Sequence, residues 1–252
     1  MGEVWAGVRE RVLALREAPN RRAVFGAYFM ESGHRFELRP VLTEEQVDAV
    51  ERRRGVTFPA EYRSFLMEVG AGGAGPDYGV FTVEPPEPES ESESESEPVP
   101  EAELDPGVTS ASGAAASEPD RALPFRPERT AEWEEHQAAE PQWSAYGDSD
   151  EDGERFRAAY AAWDKRDDEL LESLTEGALY VSEQGCAYYT LLVLTGPERG
   201  TMWQDVRAAA EGVIPFAFLG STDRVTFAEW YVHWLTRAER LAWQAPEDRT
   251  DG

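Results

Sequence analysis

Residues 84–106, EPPEPESESESESEPVPEAELDP, alternate glutamate with serine and proline and carry almost nothing apolar. Such a stretch cannot bury enough surface to offset the entropy of ordering it, and its like charges keep it extended. The TSASGAAAS that follows continues the linker composition. Residues 85–120 are therefore expected to be a disordered Glu/Ser/Pro-rich insertion, and any fold must be assembled from the segments on either side. An acidic decoy for a basic partner is a second reading of the stretch; a solvated insertion is the simpler one. Limited proteolysis should cut there first and leave the flanks associated. Deleting the insertion should leave the melting temperature nearly unchanged, and protection of 85–120 while the flanks are cut would refute this.

The insertion also decides what the net charge means. Twenty-four basic and fifty acidic residues give the 252-residue chain a net charge of −26. Residues 84–154 hold twenty-two acids and three bases, a net of −19, so −7 is left for the rest. An acidic balance disfavours nucleic acid and anionic lipid, since phosphate binding needs an excess of Lys and Arg; a basic protein partner is compatible with it. One cysteine cannot form an internal disulfide, and three scattered histidines make a poor zinc set. No metal or cofactor is expected. The acidic GDSDEDGE at 147–154 lacks the layout of a calcium loop. The amino-terminal MGEVWAGVRERVLALREAPN has no apolar signal-peptide core, and the longest apolar run, around Tyr188 to Leu194, is far short of the ~20 residues that span a bilayer. A soluble cytoplasmic protein is expected.

The flanks carry the folding signals. Val4, Trp5, Val8, Val12 and Leu15 form a helical stripe ended by Ala18-Pro19. Thr43-Glu-Glu-Gln46 is a capping box, Val47 and Val50 give its helix a buried edge, and Gly55 supplies a left-handed stop. Pro59 suits the first turn of a helix carrying Tyr62, Phe65, Leu66 and Val69, which Gly70 ends. Gly70, Gly72 and Gly75 match a GxGxxG fingerprint, but a helix precedes them where a strand is required, and the strand-like Tyr78–Val83 follows. The stretch reads as an exposed, flexible helix-to-strand loop.

In the second flank, Phe156, Tyr160, Trp163, Leu170 and Leu171 mark a helix from Glu154 to about Leu174. Runs at Ala178–Ser182, Tyr188–Thr195 and Gly200–Val206, separated by turn signals, predict an antiparallel meander. Thr226-Phe-Ala-Glu229 is a second capping box. Its helix places Phe227, Trp230, Tyr231, Trp234 and Leu235 on one stripe, so Trp230 and Trp234 are expected in the core and His233 beside it in a structural role.

Cys186 is flanked by strands, where a nucleophile elbow needs a strand-to-helix turn. Nearby Glu183 gives it an acidic setting, where a reactive cysteine needs an electropositive one. Gly185 is expected to supply the positive φ of a hairpin, with Cys186 as a small packing residue. No catalytic constellation is found, and no enzyme is expected.

LTEEQVDAVERRRGVTFPAEYRSFLMEVGAGGAGPDYGVF, GALYVSEQGCAYYTLLVLTGPERGTMWQD and FAEWYVHWL together resemble the SUKH superfamily, the bacterial relatives of the fungal Smi/Knr cell-wall assembly regulators. The resemblance implies an α+β fold, a largely antiparallel sheet packed with helices, spanning 1–252 as a single domain around the insertion. It implies no catalytic residues. It also implies the role of many bacterial members, as immunity proteins that bind and neutralise a cognate polymorphic toxin, often a nuclease. An intracellular scaffold or regulatory protein of the Smi/Knr type is the alternative. Loops on a rigid scaffold commonly carry recognition, so Asp77, Tyr78, Trp203 and Asp205 are the candidate partner contacts, with Tyr78 and Trp203 alternatively packing the sheet. An acidic chain would be steered to a basic toxin domain.

Overall fold

The computed structural model describes residues 4–29, 33–86 and 122–244; most of the insertion expected over 85–120 lies outside the described residues. Among the described residues the helices are α1 (Val8–Ala14), α2 (Glu44–Arg54), α3 (Ala60–Glu68), α4 (Arg129–Ala138), α5 (Asp150–Ser173) and α6 (Phe227–Trp243). The strands are β1 (Ala178–Gly185), β2 (Tyr188–Val193), β3 (Met202–Asp205) and β4 (Val213–Pro215). They form one antiparallel sheet in the order β1-β2-β3-β4, the meander that the turn signals predict, and the class is α+β.

Local chemistry sets the helix ends. Both capping boxes close, Thr43 with Gln46 at α2 and Thr226 with Glu229 at α6. Gly55 ends α2 in the left-handed region at φ 65°. α5 starts earlier than its apolar stripe suggests. Ser149 accepts the Asp152 amide, and Asp150, Glu151 and Asp152 fill the first turn, where carboxylates complement the helix dipole. The acidic GDSDEDGE is thus a helix start. α4 and the three-residue β4 have no counterpart among the expected elements.

Strand alternation divides the apolar residues between two cores. Leu179, Val181, Leu192, Leu194 and Met202 face α1, α2, α3 and α6, while Ala178, Leu191, Val193 and Trp203 face Phe125, Trp133, Leu170 and Leu174 on the α4–α5 side. The first core is centred on aromatic edges: Trp5 meets Phe65 at 5.3 Å, Tyr231 at 5.9 Å and Phe227 at 6.1 Å. Val4 lies ahead of the first helical turn and stays exposed, so it drops out of the expected stripe. On the other side of the sheet, the Thr130 hydroxyl of α4 donates to the Val213 carbonyl (2.7 Å) and accepts from the Val213 amide (3.2 Å).

The glycine-rich loop at 70–79 is mostly buried, which corrects the expectation of an exposed, mobile loop. Its backbone is threaded between two others. Gly73 bridges Leu38 on one side and Val80 on the other, and Val80 in turn bridges Ser182 of β1. At Gly72, a Cβ would sit 2.6 Å from the Phe81 carbonyl oxygen, and Gly73 has φ 104°. The glycines serve close backbone approach, as a strand-like element needs and a phosphate cradle does not. Tyr78–Val83 forms single bridges rather than the expected strand, with Val80 paired to Gly73 on one side and Ser182 on the other. Even so, the Phe81 amide reaches the Val181 carbonyl at 2.8 Å.

The β1–β2 hairpin turns at Cys186 and Ala187, with φ of 53° and 61°. Cys186 is therefore a turn residue, as expected, but it is exposed and not packed. Two L-residues with positive φ in a tight hairpin are strained, each by about 1 kcal/mol. Ala187→Gly should raise stability by up to about 1 kcal/mol, read as a higher denaturant midpoint; an unchanged or lower midpoint would show that the turn is relaxed.

Candidate protein-binding groove

The stripe of α6 is wider than one core can absorb. Phe227, Tyr231 and Leu235 are fully buried, but Trp234 is only half-buried and His233 is exposed. This corrects the placement of Trp234 in the core: with four aromatic residues and Leu235 on one stripe, one flank of the helix is left facing outward. That flank floors a groove of about 640 Å³. Trp230, Trp234, Arg237 and Leu241 line its floor, Phe216, Phe218 and Leu219 one wall, and Ala23–Phe25 with Pro76, Asp77 and Gln184 the other. Phe218 stacks on His233 with ring centres 4.2 Å apart, and Leu219 stands fully exposed at the rim.

The end of the glycine-rich loop brings a single acid into this apolar setting. Asp77 has φ 56° and packs its backbone carbonyl against Gly26, where no side chain could fit. Burial pushes the Asp77 carboxyl up to about 6. Among the described residues no hydrogen bond or ion pair reaches that carboxylate. Beneath the groove, His34 meets the Trp234 ring edge-on at 5.8 Å, and its Nδ1 accepts the Phe36 amide at 3.1 Å. Burial lowers the His34 imidazole to about 4, so it is neutral at pH 7. Its Nε2 is buried without a partner among the described residues.

The four contacts expected from the sequence separate into two places. Asp77 lines the groove, and the adjacent Tyr78 is wedged between Phe25 (5.4 Å), Phe29 (5.1 Å) and the hairpin glycine Gly185. Trp203 and Asp205 lie inside the molecule, each at most 3% exposed. Trp203 packs on Phe125 in the second core. Asp205 accepts from Arg207 at 2.6 Å and from the Tyr180 hydroxyl at 2.9 Å, a network that Arg207 extends to the Leu171 carbonyl of α5. Trp203 and Asp205 are thus inside the chain as it stands alone, Trp203 in the second core and Asp205 joining β3 to α5 through Arg207. The sequence reading passed over Phe216, Phe218 and Leu219, although the Pro-Phe-Ala-Phe-Leu-Gly run at 215–220 is an apolar cluster closed by turn residues.

The geometry offers apolar contact and one desolvated negative charge, which suits binding better than bond-breaking. A family model described as SMI1 / KNR4 family (SUKH-1) matches residues 41–234, more than three quarters of the chain. Comparison with curated proteins and with solved structures gives no match. The matched span includes α2, α3, the whole sheet and the part of α6 that carries Trp230 and Trp234. Domains of this family are protein-interaction modules and generally non-catalytic. With the span, the meander and the two capped helices in agreement, the chain belongs to the SMI1 / KNR4 (SUKH-1) family.

Proposed function

We propose that the chain is a cytoplasmic, non-catalytic immunity protein that binds and neutralises a cognate polymorphic toxin, and that the α6 groove takes an apolar toxin segment carrying one Lys or Arg. The unpaired Asp77 carboxylate within an aromatic-lined groove carries this reading. A half-buried carboxylate without a partner is less favourable than one fully in water, and it gains when a cation is delivered to it. Exposed Phe25, Phe29 and Leu219 give the surrounding contact area. Asp77 and Tyr78 are the proposed contacts, and family membership supports the immunity role, which many such domains have.

The test is co-expression with the toxin encoded beside this chain. Growth rescue and co-elution on size-exclusion chromatography are expected, with both weakened by Asp77→Asn. Failure of both would overturn the immunity reading for that pair and favour the intracellular scaffold or regulator of the Smi/Knr type. Because Asp77 accepts a cation only when ionised, association should strengthen as pH rises through about 6. His233 and Arg237 line the same groove and would favour a carboxylate elsewhere on the segment.

A further inference from the structure

α5 has 24 residues and so runs for about 36 Å, yet its buried positions are Gly153, Leu170 and Ser173. Only its last turns join a hydrophobic core, through Leu170, Leu171 and Leu174. The rest, with the connection from α4, forms an arm on the face of the sheet opposite α6, while α4 itself is tied to the second core through Trp133. An arm outside the core should be polar all round, and this one is not. Phe156, Tyr160 and Trp163 form one row along α5. Trp143 and Tyr146 join it at Phe156, with ring centres 5.1 and 5.4 Å away, and the row continues through Tyr160 and Trp163 at steps of 5.9 and 5.5 Å. Trp143 is 48% exposed and Tyr160 37%.

The charge around this row is predominantly negative. Residues 140–160 hold six acids and two bases, Arg155 and Arg157, and Arg155 pairs with Asp152 at 3.3 Å. A second copy of the chain would bring the same six acids, and residues 87–121 of this chain carry eleven acids against one base. Nucleic acid and anionic lipid are also negative. Like charge disfavours all of these as occupants and favours one class, a basic protein surface. Arginine in particular stacks on Trp and Tyr faces while pairing with carboxylates.

We infer that the tip of the α4–α5 arm, with Trp143, Tyr146, Phe156 and Tyr160 as its aromatic face, is a docking surface for an arginine-rich protein segment. It rests on the reading of the chain as a protein binder, but on neither the groove nor the toxin. The experiment is calorimetric titration of the full chain with a 12-residue peptide alternating arginine and glycine, at low salt and at about 0.15 M salt. Wild type should bind, less tightly at the higher salt. Trp143→Ala/Tyr160→Ala leaves the charge unchanged and should weaken binding about tenfold or more, whereas Trp243→Ala, exposed at the end of α6 and outside the groove, should leave it unaltered. Absence of binding to wild type, or a loss of less than twofold in the arm variant, would overturn the inference. Equal thermal midpoints check the fold, and if the double variant is unfolded, Trp143→Ala alone is read by the same criteria. Toxin rescue is scored separately, so either result can fail without the other.

Discussion

Phe227→Ala should destabilise the protein by roughly 3–5 kcal/mol, the range for removing a large aromatic side chain from a packed interior. Phe227 is completely buried at the first turn of α6. Its ring lies 4.9 Å from Tyr62, 5.1 Å from Phe65 and 5.6 Å from Trp230, so one truncation opens a void between the amino-terminal helices and α6. Against the roughly 5–15 kcal/mol that holds a typical domain together, this is a large fraction. Urea denaturation should show a lower midpoint at an unchanged slope. Phe227→Leu, which keeps most of the volume, should lose less than half as much. A loss below about 1 kcal/mol in the alanine variant would mean that this cluster is not where the fold gets its stability.

Asp77→Asn should act in the opposite direction, stabilising the chain by up to about 3 kcal/mol at pH 7.5 while weakening partner binding. The carboxyl sits at about 6 in the fold against its ordinary 3.8, so the native state holds this proton more tightly than the unfolded one. Its contribution is fully present below about 3.8 and is lost as pH rises through about 6. The variant and the wild type should therefore match near pH 4, diverge as pH rises from there to about 6, and differ by a constant amount above it. His34 slopes the other way. With its pKa lowered from 6.5 to about 4, it contributes stability that is full above 6.5 and is lost as pH falls toward 4. In the wild type the two slopes largely offset one another between pH 4 and 6, and Asp77→Asn should expose the His34 slope. Equal stability of variant and wild type at pH 7.5 would show that the Asp77 carboxylate is well solvated.

Much of the fold was legible because its signals are local. The capping boxes at Thr43 and Thr226, the Gly55 stop and the spacing of Phe227, Tyr231 and Leu235 each depend on a few neighbouring residues. The meander was legible because Gly185, Gly196 and Gly200 mark its turns. What was hidden depends on contacts distant in sequence. The glycine loop reads as exposed because its composition is that of a loop; its burial comes from backbone at 37–38 and 80–82 closing on it. Trp203 and Trp234 have the same side chain, yet one is covered by Phe125 and the other faces a groove whose wall is supplied by Phe216 and Phe218. α4 escaped notice because its apolar content is essentially Trp133, which matters only once it meets the sheet.

The hydroxyl of Thr130 and the extended residues 78–83 have a joint consequence for how this sheet can meet other chains. A sheet normally offers a row of unpaired amides and carbonyls on each outer strand, open to a visiting strand. Here the outer side of β1 is occupied through Tyr78 and Phe81, whose amides reach the Glu183 and Val181 carbonyls. The opposite side ends in β4, where Thr130 meets both polar groups of Val213 and Pro215 has no amide hydrogen to give. Strand addition is thereby blocked at both borders, which guards the fold against self-pairing into aggregates. Among the described residues, this sheet is thus a poor site for recognition by strand addition. Single substitutions in this chain can therefore change which partner it accepts, without any need to rebuild the sheet.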